Sequence, residues 1–236
     1  MARVDVKVVL LGQQSVGKSC LVDRYINNAF EAKQKNTIGA AFAAKKVKVS
    51  SGRVVSLGVW DTAGAERFES LSRMYYNGAR AAVVCFDPAD RLSFEKAMFW
   101  VRELRDTQPE CRVYLAMTKC DLLEDPPALG PADALVAAPG SDDSAGAESA
   151  ASKQSASSTS LASHSGLRRE VSDEDVASFA KSVALPRYGP AKVFPTSARH
   201  GRGVAALFQE IGEDLSAGLS AEEPRPPEGN MPSALN

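Results

Sequence analysis

The sequence lacks the features of membrane-spanning, disulfide-linked and zinc-binding proteins. No apolar run among its 236 residues approaches the roughly 20 residues that a helix needs to cross a bilayer. The four cysteines have no C-x-x-C spacing, and the two histidines have no companions at metal-ligand spacing. Residues 1–5 contain neither the apolar core of a signal peptide nor a glycine for myristoylation. These absences predict a cytoplasmic protein with reduced thiols.

An excess of charge of one sign is also missing. Lysine and arginine total 28 against 29 aspartate and glutamate residues, which gives a formal net charge of −1. This balance produces no long-range field that would attract nucleic acid or an anionic bilayer, so we expect no nucleic-acid partner. The length and the 44% hydrophobic content are enough to bury one core but hardly two.

Two stretches lack the aromatic and β-branched residues that form a core. Residues 125–168 consist largely of Ala, Ser, Gly, Pro and Asp, and proline and glutamate predominate beyond residue 220. We therefore predict one domain formed by residues 1–124 and 169–219, a disordered insertion at 125–168 and a disordered tail at 220–236. Surface loops tolerate long insertions at small cost, which favours an inert linker over a serine-rich regulatory switch.

What the sequence does contain is an alternation of strand-like and helix-like segments. Residues 4–11 are aliphatic on both faces, as in a buried parallel strand, and they lead into a glycine-containing loop and a helix. Residues 40–49 and 54–60 predict an antiparallel hairpin. Further strands are predicted at 81–86, 113–117 and 192–196, and further helices at 93–107, after a cap at Ser172 and at 204–215. This alternation predicts an α/β fold with a largely parallel sheet.

The loop after the first strand carries a phosphate-binding motif. Residues 12–19 fit G-x-x-x-x-G-K-[ST], in which backbone N–H groups and a helix N-terminus surround phosphate groups. Lys18 and Ser19 are the expected direct ligands of the β- and γ-phosphates and of Mg²⁺. This motif alone does not distinguish ATP from GTP.

A second motif, Thr118-Lys119-Cys120-Asp121, favours guanine. It follows a predicted strand, where a loop can approach a bound base. Guanine presents adjacent N1–H and N2–H₂ donors that the two oxygens of Asp121 can accept, whereas adenine offers no donor there. The aliphatic stem of Lys119 can cover the purine face.

Together these motifs resemble those of Ras-like small GTPases. Two more, Trp60-Asp61-Thr62-Ala63-Gly64 and Thr196-Ser197-Ala198, complete the set in the order and spacing of that superfamily. The segments that look most like Rab proteins are residues 37–42, 67–68, 75–79 and 93–94, together with Trp100. The resemblance implies a mostly parallel six-stranded sheet with one antiparallel hairpin strand and helices on both faces. It also implies GTP or GDP and Mg²⁺ as cofactors.

The resemblance assigns roles to individual positions. It implies that Phe30 packs edge-on to the base, that Thr37 closes on Mg²⁺ and the γ-phosphate, and that Asp61 holds Mg²⁺ through water. Gly64 would bond the γ-phosphate through its N–H. Residues 30–42 and 64–74 would be switch segments that GTP orders.

The site predicted in this way has three parts. The catalytic residues are Lys18, Thr37 and Gly64, and the metal ligands are Ser19, Thr37 and Asp61. Ser197 and Ala198 would line the guanine O6 side. The predicted nucleotide contacts are Gly12, Ser15, Val16, Gly17, Lys18, Ser19, Cys20, Phe30, Thr37, Gly64, Thr118, Lys119, Asp121, Ser197, Ala198 and Arg199.

The sequence departs from the family pattern at two functional positions. Ala65 follows Gly64, where the family places the glutamine that orients the attacking water. Ras proteins hydrolyse GTP unaided at only about 10⁻⁴ s⁻¹, and lost water positioning is expected to remove roughly one to two further orders of magnitude. Thr118 replaces an asparagine whose amide can bond the base and brace the phosphate loop, so we expect weaker nucleotide affinity.

The tail contains no cysteine to prenylate, although Rab proteins typically carry one or two there. We therefore expect the protein to contact membranes only through a partner and to associate transiently with endomembranes. The alternative explanation for the missing cysteine is a truncated C-terminus.

The expected function is a monomeric GTP/GDP switch in vesicle traffic, with effectors, an exchange factor and an activating protein as partners. The alternatives are a GTP-loaded scaffold that does not hydrolyse and an ATP-dependent kinase, which Asp121 disfavours.

Overall fold

The computed structural model describes residues 4–32, 36–64, 75–125 and 166–220, in which strands and helices alternate. The strands are β1 Val6–Leu11, β2 Ala40–Lys48, β3 Val54–Thr62, β4 Ala81–Phe86, β5 Arg112–Met117 and β6 Lys192–Pro195. The helices are α1 Lys18–Asn27, α2 Arg91–Thr107, α3 Asp173–Ser182 and α4 Val204–Ser216. In this described part of the chain, no helix has the length and apolar character needed to cross a membrane.

The six strands form one sheet in the order β2-β3-β1-β4-β5-β6. Only β2 and β3 pair antiparallel; β3 with β1, β1 with β4, β4 with β5 and β5 with β6 are all parallel. The predicted fold class is therefore confirmed, including the antiparallel hairpin strand at one edge of the sheet.

The end of β3 and the start of α2 differ from the predicted ones. The strand β3 continues to Thr62 because its antiparallel pairing with β2 extends to Ala40, and the Thr62 hydroxyl also donates to the carbonyl oxygen of Leu10 at 2.6 Å. The helix α2 begins at Arg91 rather than at residue 93, because Asp90 acts as its cap and accepts a hydrogen bond from the Ser93 N–H at 3.2 Å.

The core lies on both faces of the sheet, and β1 contributes to each half. Val6, Val8 and Leu10 pack with α1 and α4, whereas Val9 and Leu11 pack with α2 and α3. This alternation is the period of two that a strand buried on both faces requires. Because β1 has helices above and below, the loop that follows it is held firmly in place.

The carboxyl ends of the parallel strands lie together at one end of the sheet, and the loops that follow them carry the predicted motifs. The phosphate motif follows β1, and the motif that contains Asp61 covers the end of β3. Residues 118–121 follow β5, and residues 196–199 follow β6. The carboxyl edge of an open parallel sheet is where α/β proteins bind ligands.

A partly buried ionic cluster holds the opposite end of the sheet, where the strands β5 and β6 begin. Arg112, at the start of β5, pairs with Asp214 of α4 at 2.8 Å, and Lys192 of β6 pairs with the same carboxylate at 3.0 Å. The Tyr114 hydroxyl donates to Asp214 at 3.0 Å. The Arg112 guanidinium also lies 4.3 Å from the centre of the Tyr188 ring. Asp214 therefore joins two strands and a helix.

Replacing Asp214 with alanine should destabilise the fold strongly, because the buried Arg112 would lose its counter-charge. Removing one partner of a buried ion pair typically costs about 3 kcal/mol or more. Urea unfolding followed by circular dichroism measures the change. Asp173→Ala is the control, since that carboxylate is largely exposed and its ion pair, with Arg169 in the loop before α3, is a surface pair. Equal losses in the two variants would contradict the role given to Asp214.

The two ends of the predicted insertion lie side by side. Leu123 and Leu167 form a parallel bridge, the Leu167 N–H donates to the carbonyl oxygen of Leu122 at 2.6 Å, and the Glu124 N–H donates to that of Leu167 at 3.2 Å. Residues 33–35 and 65–74 of the predicted switch segments, which include Ala65, lie outside the described residues, as do residues 126–165 and the tail beyond residue 220. The disorder predicted for the insertion and tail therefore stays a prediction.

Replacing residues 126–165 with a short glycine-serine linker should leave the domain folded. The neighbouring ends need little chain to join them, and closing a loop about ten times shorter stabilises a fold by up to about 2 kcal/mol. Thermal unfolding of the two forms, each loaded with GDP, tests this expectation. A lower melting temperature in the shortened form would mean that the replaced residues contribute to the fold.

Candidate functional site

The phosphate loop turns through backbone conformations that depend on glycine. Gly12 and Gly17 have φ angles of 139° and 106°, and Ser15 between them has 62°. A Cβ added at Gly12 would lie 2.4 Å from the carbonyl oxygen of Cys85, so the loop can pass β4 only with glycine at that position. The chain then enters α1 at Lys18.

Lys18 folds back across this loop. Its side chain is only 5% exposed, and its ammonium donates to the carbonyl oxygens of Gly12 at 2.8 Å and Gln13 at 2.9 Å. Burial lowers the pKa of Lys18, while the neighbouring charge of Asp61 opposes that shift. The loop therefore encloses a cation that is available to an anionic ligand.

Three oxygen-bearing side chains from distant parts of the chain meet beside this loop. The Ser19 and Thr37 hydroxyls donate to one oxygen of Asp61, Oδ2, at 2.5 and 3.2 Å, and they lie 2.9 Å from each other. Burial raises the pKa of Asp61, opposed by the hydrogen bond from Ser19 and the charge of Lys18. The second oxygen, Oδ1, is buried without a hydrogen-bond partner among the described residues.

This oxygen cluster fits a hard divalent cation. Mg²⁺ prefers a few hydroxyl and carboxylate oxygens and retains several waters, and the three side chains supply only such donors. The buried, unsatisfied Oδ1 of Asp61 is a polar atom for which an ion or its bound water would provide a partner.

Gly64 lies directly against the phosphate loop. A Cβ added there would be 2.5 Å from both the backbone nitrogen of Gln14 and the ammonium of Lys18. No side chain fits in that contact, so the Gly64 backbone is the group presented to the loop. The Ala63 N–H donates to the carbonyl oxygen of Gly39 at 2.8 Å, which ties the residue before the second predicted switch segment to the first segment.

Thr118 braces the motif at residues 118–121, called the base motif below, against the phosphate loop. Its hydroxyl lies 2.7 Å from the carbonyl oxygen of Val16 and 3.0 Å from that of Phe86, and its single proton is donated to these two acceptors, with Val16 the nearer. The expected loss of this brace on replacing asparagine is therefore wrong, because the two loops approach closely enough for the shorter threonine hydroxyl to reach. The expected loss of nucleotide affinity stays a prediction.

Lys119 and Asp121 of the base motif differ in how the protein holds them. Lys119 has a left-handed backbone with φ of 55°, and its ammonium pairs with Asp87 at 2.9 Å. Its Cε lies 4.0 Å from the position of a Cβ added at Gly17, so its stem runs beside the phosphate loop. The carboxylate of Asp121 accepts no hydrogen bond from the residues that the structure describes, and it is partly exposed.

The loop after β6 lies beside the base motif at the same end of the sheet. The Ser197 N–H donates to the carbonyl oxygen of Arg202 at 2.9 Å, and the Ser197 hydroxyl accepts from the His200 N–H at 3.1 Å. The Cys120 N–H donates to the carbonyl oxygen of Thr196 at 3.1 Å and ties this loop to the base motif. The predicted phosphate, metal and base residues thus lie on neighbouring loops.

Comparison with known proteins decides the family. The family model described as "Ras family" matches residues 7–217, most of the chain. The chain belongs to the Ras family. Ras-related protein Rab-24 of Dictyostelium discoideum is 36% identical over 213 residues, 90% of this chain and 82% of that protein. GTP-binding protein YPT52 of Saccharomyces cerevisiae is 32% identical over 219 residues, 89% of this chain and 81% of that protein. Ras-like GTP-binding protein RYL2 of Yarrowia lipolytica is 44% identical over 130 residues, 55% of this chain and 62% of that protein.

The structure gives weaker support to two of the predicted nucleotide contacts, Phe30 and Cys20. Phe30, three residues after the end of α1, is 38% exposed. The Cys20 thiol is directed towards the carbonyl oxygen of Glu31, 3.9 Å away. Burial raises the pKa of this thiol, which keeps it in the neutral form.

Sequence reasoning missed two residues that position these loops. Asp87, which holds Lys119, directly follows β4, and its place at the end of a strand is the only signal that could have indicated it. Arg24 of α1 donates to the carbonyl oxygens of Ala198 and Arg199 at 2.6 and 2.9 Å. Nothing in the local sequence indicates that contact.

Replacing Thr118 with valine should accelerate GDP release from the GTPase about tenfold. Valine keeps the shape of threonine but leaves the carbonyl oxygen of Val16 without its partner, which typically costs about 1–3 kcal/mol. Thr118→Ser keeps the hydroxyl and is the matched control. Chase of a fluorescent GDP analogue measures both rates, and equal release from the two variants would show that the brace does not hold the nucleotide.

Proposed function

We propose that this GTPase is a GTP/GDP-controlled regulator of vesicle traffic with slow intrinsic hydrolysis. The observation that carries the proposal is the convergence of Lys18, Ser19, Thr37, Asp61 and Gly64 on one loop, each contributing a group suited to a phosphate or a divalent cation. The site residues come from the phosphate loop, the end of β3 and the two predicted switch segments, so a ligand that contacts all of them would hold the two segments together.

Catalysis would depend on positioning and charge. Lys18 would exchange its bonds to the carbonyl oxygens of Gly12 and Gln13 for bonds to the β- and γ-phosphates, and its buried charge would act with little screening. Ser19, Thr37 and Asp61 would hold Mg²⁺, which would neutralise charge on the phosphates. The N–H of Gly64 would donate to the γ-phosphate.

Guanine recognition would rest on Asp121. Its carboxylate is free of hydrogen bonds to the described residues, so it can accept both donors on the guanine edge without first giving up a partner. Lys119 would lie along the purine face, held in that position by Asp87. An adenine base would leave the Asp121 carboxylate without donors.

The switch would act through Thr37 and Gly64. Each would lose a contact when the γ-phosphate leaves, and the hydrogen bond between Ala63 and Gly39 would transmit a movement of one segment to the other. Beside them, Ile38 and Phe42 are 86% and 54% exposed, and the Phe42 ring lies 4.7 Å from that of Trp60. An exposed apolar surface of this kind supports effector binding.

The cellular role is proposed from similarity to Rab-24 and YPT52. We expect the protein to act as a monomer, to bind an exchange factor and an activating protein, and to reach endomembranes through a partner. A second candidate function is a scaffold that remains loaded with GTP. Ala65 favours that alternative because its methyl group cannot orient a water molecule.

Single-turnover hydrolysis of preloaded GTP tests both candidates. We expect the wild-type protein to be slower than about 10⁻⁴ s⁻¹ and Ala65→Gln to be roughly ten to a hundred times faster, because glutamine restores the water-orienting amide. Ala65→Leu is a control that adds volume without an amide. If wild type and Ala65→Gln both remain at the uncatalysed rate, the hydrolytic switch is wrong and the GTP-loaded scaffold is the better account.

A further inference from the structure

Arg24 connects the helix of the phosphate loop to the loop after β6. Its Nε donates to the carbonyl oxygen of Ala198 at 2.6 Å, and its Nη2 donates to that of Arg199 at 2.9 Å. The remaining nitrogen, Nη1, donates to the backbone and side-chain oxygens of Asn28 at 2.8 and 2.9 Å. The guanidinium therefore uses all three nitrogens, and its oxygen partners lie on two different elements.

The guanidinium is held by Asn28 of its own helix and by the loop after β6. Asn28 is the left-handed cap of α1, with φ of 52°, and its N–H donates to the carbonyl oxygen of Arg24 at 3.1 Å. In the loop after β6, a Cβ added at Gly201 would lie 3.5 Å from Arg24 Cδ, so the loop curves closely around the side chain. A planar fork of donors suits this arrangement, and the single ammonium of lysine could not reproduce it.

These bonds fix the orientation of two consecutive peptide groups. In a trans peptide the C=O and the following N–H point in opposite directions, so carbonyl oxygens turned towards Arg24 direct the next N–H groups away from α1. The second of these, the His200 N–H, donates to the Ser197 hydroxyl at 3.1 Å. The conformation of residues 197–200 thus depends on a side chain of α1.

We propose that Arg24 is a positioning residue for recognition of the purine O6 edge. The inference rests on the proposed function, in which Ser197 and Ala198 lie beside guanine O6 and Asp121 accepts from N1 and N2. All three guanidinium nitrogens of Arg24 donate to protein oxygens, so its role would be indirect. It holds the loop that meets O6 and anchors that loop to the helix that begins at Lys18.

The test compares three nucleotides on the full chain by competition with a fluorescent GDP analogue. GDP carries the complete base, 6-thio-GDP has sulfur in place of O6, and IDP lacks the N2 amine. Sulfur is a weak hydrogen-bond acceptor, so the ratio of the Kd for 6-thio-GDP to that for GDP reports the O6 contact. The ratio for IDP reports the contact with Asp121.

For Arg24→Ala we expect about tenfold weaker GDP binding, a 6-thio-GDP ratio that falls towards one and an IDP ratio equal to that of wild type. Arg24→Lys should give an intermediate 6-thio-GDP ratio, because one ammonium can hold only one of the two carbonyl groups well. The lysine variant also provides the same measurement if the alanine variant does not fold.

Arg105→Ala is the matched control for loss of stability. Arg105 lies in α2 and also donates to three carbonyl oxygens, those of Pro109, Cys111 and Val183. These lie near the start of β5, at the end of the sheet opposite the site. This variant should lose comparable stability in thermal unfolding yet keep both nucleotide ratios.

Two results would overturn the inference. One is an unchanged 6-thio-GDP ratio in both Arg24 variants, and the other is an equal fall of that ratio in Arg105→Ala, which would mean a general loss of structure. Failure of the proposed function is a different result, in which the wild-type protein itself binds GDP no better than IDP or ADP.

Discussion

The close approach of Gly12 to the carbonyl oxygen of Cys85 is the constraint on which this site depends. The strands β1 and β4 pair in parallel, so the chain that leaves β1 must pass the end of β4 at a distance that admits no Cβ. Only after this passage can the loop curve back over the ammonium of Lys18 and enter α1. The packing of β1 on both faces keeps that passage in place.

The loops that follow the parallel strands are held mainly by hydrogen bonds to one another's backbone. Thr118 bonds the carbonyl oxygen of Val16, Cys120 bonds that of Thr196, and Arg24 bonds that of Ala198. Because carbonyl groups accept these bonds, side chains such as the Asp121 carboxylate remain available to a ligand. The arrangement favours a site that is organised before its nucleotide binds, which reduces the entropy lost on binding.

The sequence predicted most of the fold and the main chemistry of the site because those signals are local. Burial on both faces of residues 4–11, the phosphate motif at 12–19 and the carboxylate of Asp121 can each be recognised within a few neighbouring residues. Element ends were less accurate. The cap at Asp90 starts α2 two residues earlier, and pairing of Thr62 with Ala40 extends β3 by two residues.

The sequence by itself therefore determined the order of strands and helices, the family and the residue types that can hold a phosphate, a divalent cation and guanine. Only the tertiary structure decided how those loops support each other. Arg24 and Ala198 are 174 residues apart, and Thr118 and Val16 are 102 apart, so no local pattern links either pair. The parallel sheet brings them together because it places the carboxyl ends of distant strands side by side, where a side chain can bond the backbone of a neighbouring loop.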